Sequence, residues 1–165
     1  MTANAPISPI GLIVLQGVST CNLDCSYCYL PRESRLAKGR INTDTVKQVF
    51  ERILAYGNTG QKLQVLWHAG EPFVLPLSDY ESLFAVIEPY AKELEKRGTI
   101  LKHTLQSNGT LITKGHCDFV KENDIGLGIS LDGPDFVHDR YRKNGSVAKN
   151  NLRQILLIFG GLFWD

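Results

Sequence analysis

An α/β fold built on a parallel sheet is the class this sequence predicts, and three observations predict it. Short apolar runs without helical period alternate with stretches whose apolar positions recur every three to four residues. No low-complexity segment or linker divides the chain. Each strand-like run ends in a loop of turn-forming or metal-ligating residues. The resulting order, β-α-β-α-β-α-β-α, implies parallel strands joined by right-handed crossovers. Two architectures fit: an open doubly wound sheet, or a barrel or partial barrel. Four βα units are too few to close the usual eight-fold barrel.

Ile10–Gly17 is a short apolar run that reads as a buried strand. Asn42–Tyr56 is helical in period. Val46, Val49, Phe50, Ile53 and Leu54 share one face, and Gly57 stands where a C-terminal cap belongs. Leu63–Trp67 is the second strand. Ser78 and Glu81 have the spacing of a capping box for a helix to about Arg97. Its apolar face is Leu83, Phe84, Ile87, Tyr90 and Leu94, with a kink expected at Pro89 and a stop at Gly98. Thr99–Gln106 is the third strand. Thr113 is placed to cap a helix to Glu122, Ile125–Ser130 is the fourth strand, and a last helix is expected over Val147–Ile158.

The 165 residues are 43% hydrophobic and 21% charged, which excludes wholesale disorder. Lys plus Arg is 18 and Asp plus Glu is 17, for a net charge of +1. That balance argues against a protein whose main task is binding nucleic acid through phosphates, and it gives no reason to invoke a membrane surface. The opening MTANAPISPI has no basic segment of a secretory signal. The longest apolar stretches, Ile10–Leu15 and Ile155–Trp164, fall short of the roughly 18 residues a membrane span needs. The expected location is the cytoplasm. Three of the four cysteines, Cys21, Cys25 and Cys28, fall within eight residues. In a reducing compartment such a cluster points to metal binding or catalysis ahead of disulfides.

The four strand-end loops are Cys21-Asn-Leu-Asp-Cys25-Ser-Tyr-Cys28, His68-Ala-Gly70-Glu71-Pro72, Ser107-Asn108-Gly109-Thr110 and Asp132-Gly133-Pro134. In parallel α/β folds the active site lies at the C-terminal ends of the strands, so all four are expected to converge. Cys-x3-Cys-x2-Cys suits three irons of a [4Fe–4S] cluster, with the fourth iron left open. Spacing alone also admits zinc held by the three Cys with His68 or His103, or three ordinary thiols.

The cysteine motif at the end of a first strand, with an aromatic before the last Cys, resembles that of radical S-adenosylmethionine enzymes. His68–Pro72 resembles the family's Gly-Gly-Glu-Pro motif with Ala69 in place of the first Gly. Gln106–Ile112 resembles the motif after the third strand. Ser130–Pro134 followed by His138-Asp139-x-x-Arg142 resembles the segment after the fourth. Together they are most similar to the branch that modifies peptides and proteins and carries C-terminal auxiliary clusters (the SPASM class). Anaerobic sulfatase-maturating enzymes belong to that branch, as do the cyclophane-forming peptide maturases, which the runs PIGLIVLQ, CNLDCSYCYLP and WHAGEP most resemble.

The resemblance covers about residues 9–158. It implies a partial (β/α)6 TIM-like barrel, of which about four βα units are present. Residues 1–165 are then expected to be the N-terminal part of a radical SAM core domain, without the auxiliary-cluster domain. It further implies a [4Fe–4S] cluster on Cys21, Cys25 and Cys28 and S-adenosyl-L-methionine on its open iron. Reductive cleavage of the sulfonium would give a 5′-deoxyadenosyl radical. A peptide or protein substrate and an external electron donor follow as partners.

Tyr27, Gly70, Glu71, Ser107, Asn108, Ser130 and Arg142 are the residues the resemblance assigns to cofactor binding. Tyr27 would face the adenine, Gly70 would admit the methionine end, and Glu71 would take its ammonium or order the loop. Arg142 would bind the cofactor carboxylate bidentately, with Arg140 as a neighbouring competitor. Ser107 and Asn108 equally suit turn caps. Asp132 is expected to cap its own turn, with His138 and Asp139 shaping the loop. Cys117 and His103 read as structural. The competing readings are a zinc-stabilised binding module and a truncated remnant without turnover.

Overall fold

A computed structural model of the chain describes residues 8–142. Four strands, β1 (Ile10–Leu15), β2 (Thr59–Trp67), β3 (Ile100–Ser107) and β4 (Gly126–Ile129), form one sheet in the order β1-β2-β3-β4. Every pairing is parallel. Each strand lies beside its predecessor with no reversal of direction. A doubly wound sheet reverses at a switch point, so of the two architectures the singly wound, barrel-type arrangement is the one formed.

Helices α1 (Arg32–Leu36), α2 (Thr43–Tyr56), α3 (Leu77–Lys96), α4 (Lys114–Glu122) and α5 (Asp135–Tyr141) occupy the connections. The predicted helix at Val147–Ile158 lies outside the described residues. Among the described residues, no helix is long and apolar enough to cross a membrane.

The α2 helix forms as its caps dictate. The Asn42 side chain accepts from Thr45 N, and Gly57 ends the helix at φ 72°. Thr113 caps α4 and exchanges hydrogen bonds with His116, a capping box. The box expected at Ser78 does not form. α3 begins at Leu77 behind Pro76, whose φ of −56° suits an N-cap position without any side-chain bond. Ser78 therefore lies inside the first turn, where its carbonyl accepts from the Ser82 hydroxyl. The helix runs on through Pro89 to Lys96, and Gly98 at φ 83° follows its end.

Leu63, Val65 and Trp67 on β2 and Leu105 on β3 are buried, whereas Gln64, Leu66, Thr104 and Gln106 between them are only half-buried. The buried set joins Val46, Phe50 and Ile53 of α2 and Tyr80, Leu83, Ile87 and Leu94 of α3 in one core. Helices thus cover one face of the sheet. This corrects the reading of the first strand as wholly buried: Leu12 and Val14 are each 54% exposed on the opposite face. Burying the core side chains is the main stabilising term, at about 1.5–3 kcal/mol each.

Candidate active site at the C-terminal edge of the sheet

Because all four strands are parallel, the loops that follow them lie at one edge. Residues from all four loops line a single cavity of about 200 Å³. Cys21, Cys25 and Cys28 are in its wall, as are Tyr27, Gly70, Glu71, Asn108, Ser130 and Arg142. The strand-end convergence expected from the sequence is therefore present in the fold.

Ser107 is the exception. It is 0% exposed and lies behind the wall. Its hydroxyl donates to Glu71 Oε1 at 2.8 Å and accepts from Gly109 N at 2.9 Å. It is a support for Glu71, not a surface a cofactor can touch. As the last residue of β3 it places its side chain on the helix-covered face, where the bond from Gly109 N is the turn cap that the sequence also allowed it.

Glu71 is 1% exposed, and both of its oxygens are engaged. Oε1 accepts from Phe73 N at 3.1 Å as well as from Ser107, and Oε2 accepts from Asn108 N at 2.8 Å. Of the two roles left open for Glu71, ordering the loops is the one its hydrogen bonds perform. Burial pushes its carboxyl above the usual range, and the three donors work against that shift.

Gly70 has φ +63°, and a Cβ there would lie 2.6 Å from Val18 O, 2.7 Å from Thr20 O and 2.9 Å from Ser19 O. The close approach that requires glycine is that of the chain's own first loop. Glu71 N also donates to Thr20 O at 2.9 Å, so the second loop seats the segment that leads directly into Cys21. Ala69 adopts φ 76°, a conformation that disfavours any residue with a Cβ.

Asn108 joins three loops. Its Nδ2 donates to Asn22 Oδ1 at 2.9 Å and lies 3.9 Å from Cys21 Sγ. Its Oδ1 accepts from Thr110 N at 2.9 Å, which is the turn cap expected of it. Ser130 Oγ accepts from Gln106 Nε2 at 3.0 Å.

The guanidinium of Arg142 is committed to a carboxylate of the protein itself. Nε and Nη2 bind Asp132 Oδ2 and Oδ1 at 2.9 and 3.0 Å. The Tyr27 hydroxyl donates to the same carboxylate, and the Arg142 guanidinium lies 5.6 Å from the Tyr27 ring centroid. The Asp132 carboxylate therefore links the end of α5 to the cysteine loop. Arg142 holds its carboxyl below the usual range, and burial with the Asp132 hydrogen bond pushes Tyr27 up to about 12. Ser26 N donates to Tyr141 O at 3.0 Å, a further tie between the cysteine loop and α5. Arg140 lies against Tyr141, away from the cavity wall.

His103 is removed from the site. It packs against both Trp67 and Phe84, and its Nδ1 accepts from Trp67 Nε1 at 3.2 Å. It is the satisfied core residue the sequence suggested, and zinc on three Cys and His103 is excluded. His68 does line the cavity, but among the described residues no three His, Cys, Asp or Glu side chains gather around one metal-ion position. Cys117 packs half-buried against the core in α4. Burial raises the thiols of Cys21 and Cys25, so a metal centre there must supply the charge stabilisation that deprotonates them.

The sequence reading missed Arg35. It lines the cavity and is 8% exposed, with its side chain bonded to the cysteine loop. One of two arginines in a five-residue helix, it has no pattern that marks it.

The sequence model described as "Radical SAM superfamily" matches residues 16–155. An uncharacterised protein of Synechocystis sp. is 42% identical over 135 residues, covering 82% of this chain and 33% of that protein. The serine-type anaerobic sulfatase-maturating enzyme of Bacteroides thetaiotaomicron is 36% identical over 147 residues, covering 87% of this chain and 34% of that enzyme. The chain thus spans about a third of the length of these curated relatives. A solved structure, "Native anSMEcpe with bound AdoMet", superimposes with a TM-score of 0.74 at 24% identity. That match covers 93% of this chain and 41% of the other, and it shows the fold.

Proposed function

The chain belongs to the radical SAM superfamily, and from that premise we propose that its strand-end cavity holds a [4Fe–4S] cluster and S-adenosyl-L-methionine for modification of a peptide or protein. One observation carries the reading: all three motif cysteines share one cavity with residues from the other three strand-end loops. The donor set fits the group. Three thiols on one loop, all lining one cavity, suit a cluster whose irons are ligated separately. The peptide or protein substrate is supported by the relatives named as sulfatase-maturating enzymes. A related solved structure is also named for both AdoMet and a peptide.

When bound, the reduced cluster and S-adenosylmethionine supply hydrogen-abstracting radical chemistry, for which the electron comes from an external donor. The chain's residues do the positioning. Cys21, Cys25 and Cys28 hold the cluster. Gly70, Glu71 and Asn108 fix the loops that shape the cavity floor. Ser130 and Arg142 place a hydroxyl and a guanidinium in the cavity wall, with Arg142 paired to Asp132 and lying over the Tyr27 ring. The chain corresponds to the N-terminal part of a radical SAM core domain.

The test is iron content after anaerobic reconstitution of single variants. Cys21→Ala, Cys25→Ala and Cys28→Ala are each expected to lose the cluster, and Cys117→Ala to keep about four irons per chain. Iron retained in Cys25→Ala, or one zinc per chain and no visible absorption, would overturn the reading.

A further inference from the structure

We propose that Arg35 is a positioning residue that closes the cysteine loop and sets the reduction potential of what the loop holds. The proposal rests on the cluster reading above.

Arg35 is bound to the loop at four points. Its backbone carbonyl accepts from Cys21 N at 3.1 Å. Its Nε donates to Leu30 O at 3.2 Å, and its Nη1 donates to Leu23 O at 3.4 Å and Asp24 Oδ1 at 2.6 Å. These contacts reach both ends of the segment that carries all three cysteines. A planar guanidinium with five donors suits that task; an ammonium or amide has fewer donors and no fixed fork.

Arg35 is a buried cation in the cavity wall, close enough to Cys21 and Cys28 for their charges to interact. Its partner Asp24 is half exposed to solvent and is shared with Arg32, whose Nε lies 3.6 Å from the other carboxylate oxygen. Two guanidinium groups on one carboxylate leave a net positive charge beside the loop. On the far side, Arg142 is matched one to one by Asp132. Arg35 is thus the buried member of a cluster of two guanidinium groups on one half-exposed carboxylate, a cluster left net positive beside Cys21 and Cys28. A buried positive charge next to an anionic iron–sulfur centre favours its reduced form, because charge and hydrogen bonding around the sulfurs are among the protein's main controls of potential.

The experiment compares wild type, Arg35→Lys and Arg35→Gln by two measurements. Amide hydrogen exchange on the metal-free chain tests the loop clamp without any cluster. Residues 21–30 are expected to exchange about tenfold faster in both variants, with β2 and β3 unchanged. An EPR-monitored redox titration of the reconstituted chains tests the charge. Arg35→Gln is expected to lower the reduction constant about tenfold, which is 59 mV for one electron, and Arg35→Lys to restore it. Should Arg35→Gln speed exchange throughout the sheet, Arg35→Lys alone decides the clamp. Wild-type loop exchange in Arg35→Lys, or a wild-type potential in a loaded Arg35→Gln, overturns the corresponding half. A wild-type chain that takes up no iron would instead defeat the cluster reading and the potential with it, while the exchange data still decide the clamp.

Discussion

Gly70→Ala and Ala69→Gly are adjacent substitutions for which the structure predicts opposite signs. At Gly70 an added Cβ meets three backbone carbonyl oxygens at 2.6, 2.7 and 2.9 Å, all from Val18–Thr20. Backbone atoms of a loop tied down by Glu71 N→Thr20 O and His68 N→Leu15 O have little room to retreat. A left-handed conformation costs an ordinary residue about 1–2 kcal/mol. Overpacking adds about 1–3 kcal/mol, so the expected loss is roughly 2–5 kcal/mol, a large part of a typical domain's stability. At Ala69, with φ 76° already occupied by a residue that has a Cβ, glycine relieves the strain and is expected to gain about 1 kcal/mol. Urea unfolding followed by circular dichroism reads both. With a slope of about 1–3 kcal/mol/M, Gly70→Ala should lower the midpoint by about 1–2 M, and Ala69→Gly should raise it by a few tenths. A Gly70→Ala midpoint equal to wild type would refute the argument that these carbonyls exclude a side chain.

Arg142→Ala should weaken S-adenosylmethionine binding about tenfold by calorimetry, the size of one charge-assisted contact, and Arg140→Ala should leave it unchanged; equal affinities would count against the carry-over of the His-Asp-x-x-Arg motif. His103 is held to a pKa of about 4 by burial, against an ordinary 6.5, so the unfolded chain binds the extra proton between those values. Its contribution is therefore whole above pH 6.5 and is lost as pH falls toward 4, amounting to about 3 kcal/mol. His103→Phe should remove that part of the dependence. The check is the difference between wild type and variant in unfolding free energy across that window, and parallel curves would refute it.

Much of the frame was legible in the sequence because it is local. Gly57 and Thr113 act as caps on residues three or four positions away, and the strands announce themselves by short apolar runs. The three cysteines are close in sequence and need no fold to bring them together. What was missed is either too short for periodicity or too distant for adjacency. α1 and α5 span five and seven residues, at most two turns, which is too little to show a repeat. The Tyr27–Asp132 bond joins positions 105 apart, and Ser107–Glu71 joins positions 36 apart. The Ser107–Glu71 brace and the Arg142–Asp132 pair are therefore contacts that the motifs do not announce. Motif matching says which residues recur, whereas burial and pairing decide which of them face the cavity and which brace it.

The central claim is that three thiols at the C-terminal edge of the sheet hold a cluster with one open iron beside a cofactor site. EPR of the anaerobically reconstituted, dithionite-reduced chain, recorded with and without S-adenosylmethionine, tests it most directly. A [4Fe–4S] signal that shifts on addition of S-adenosylmethionine, and does not shift with methionine alone, is the predicted result. A cluster signal indifferent to S-adenosylmethionine, or a chain that binds zinc and no iron, would contradict the account.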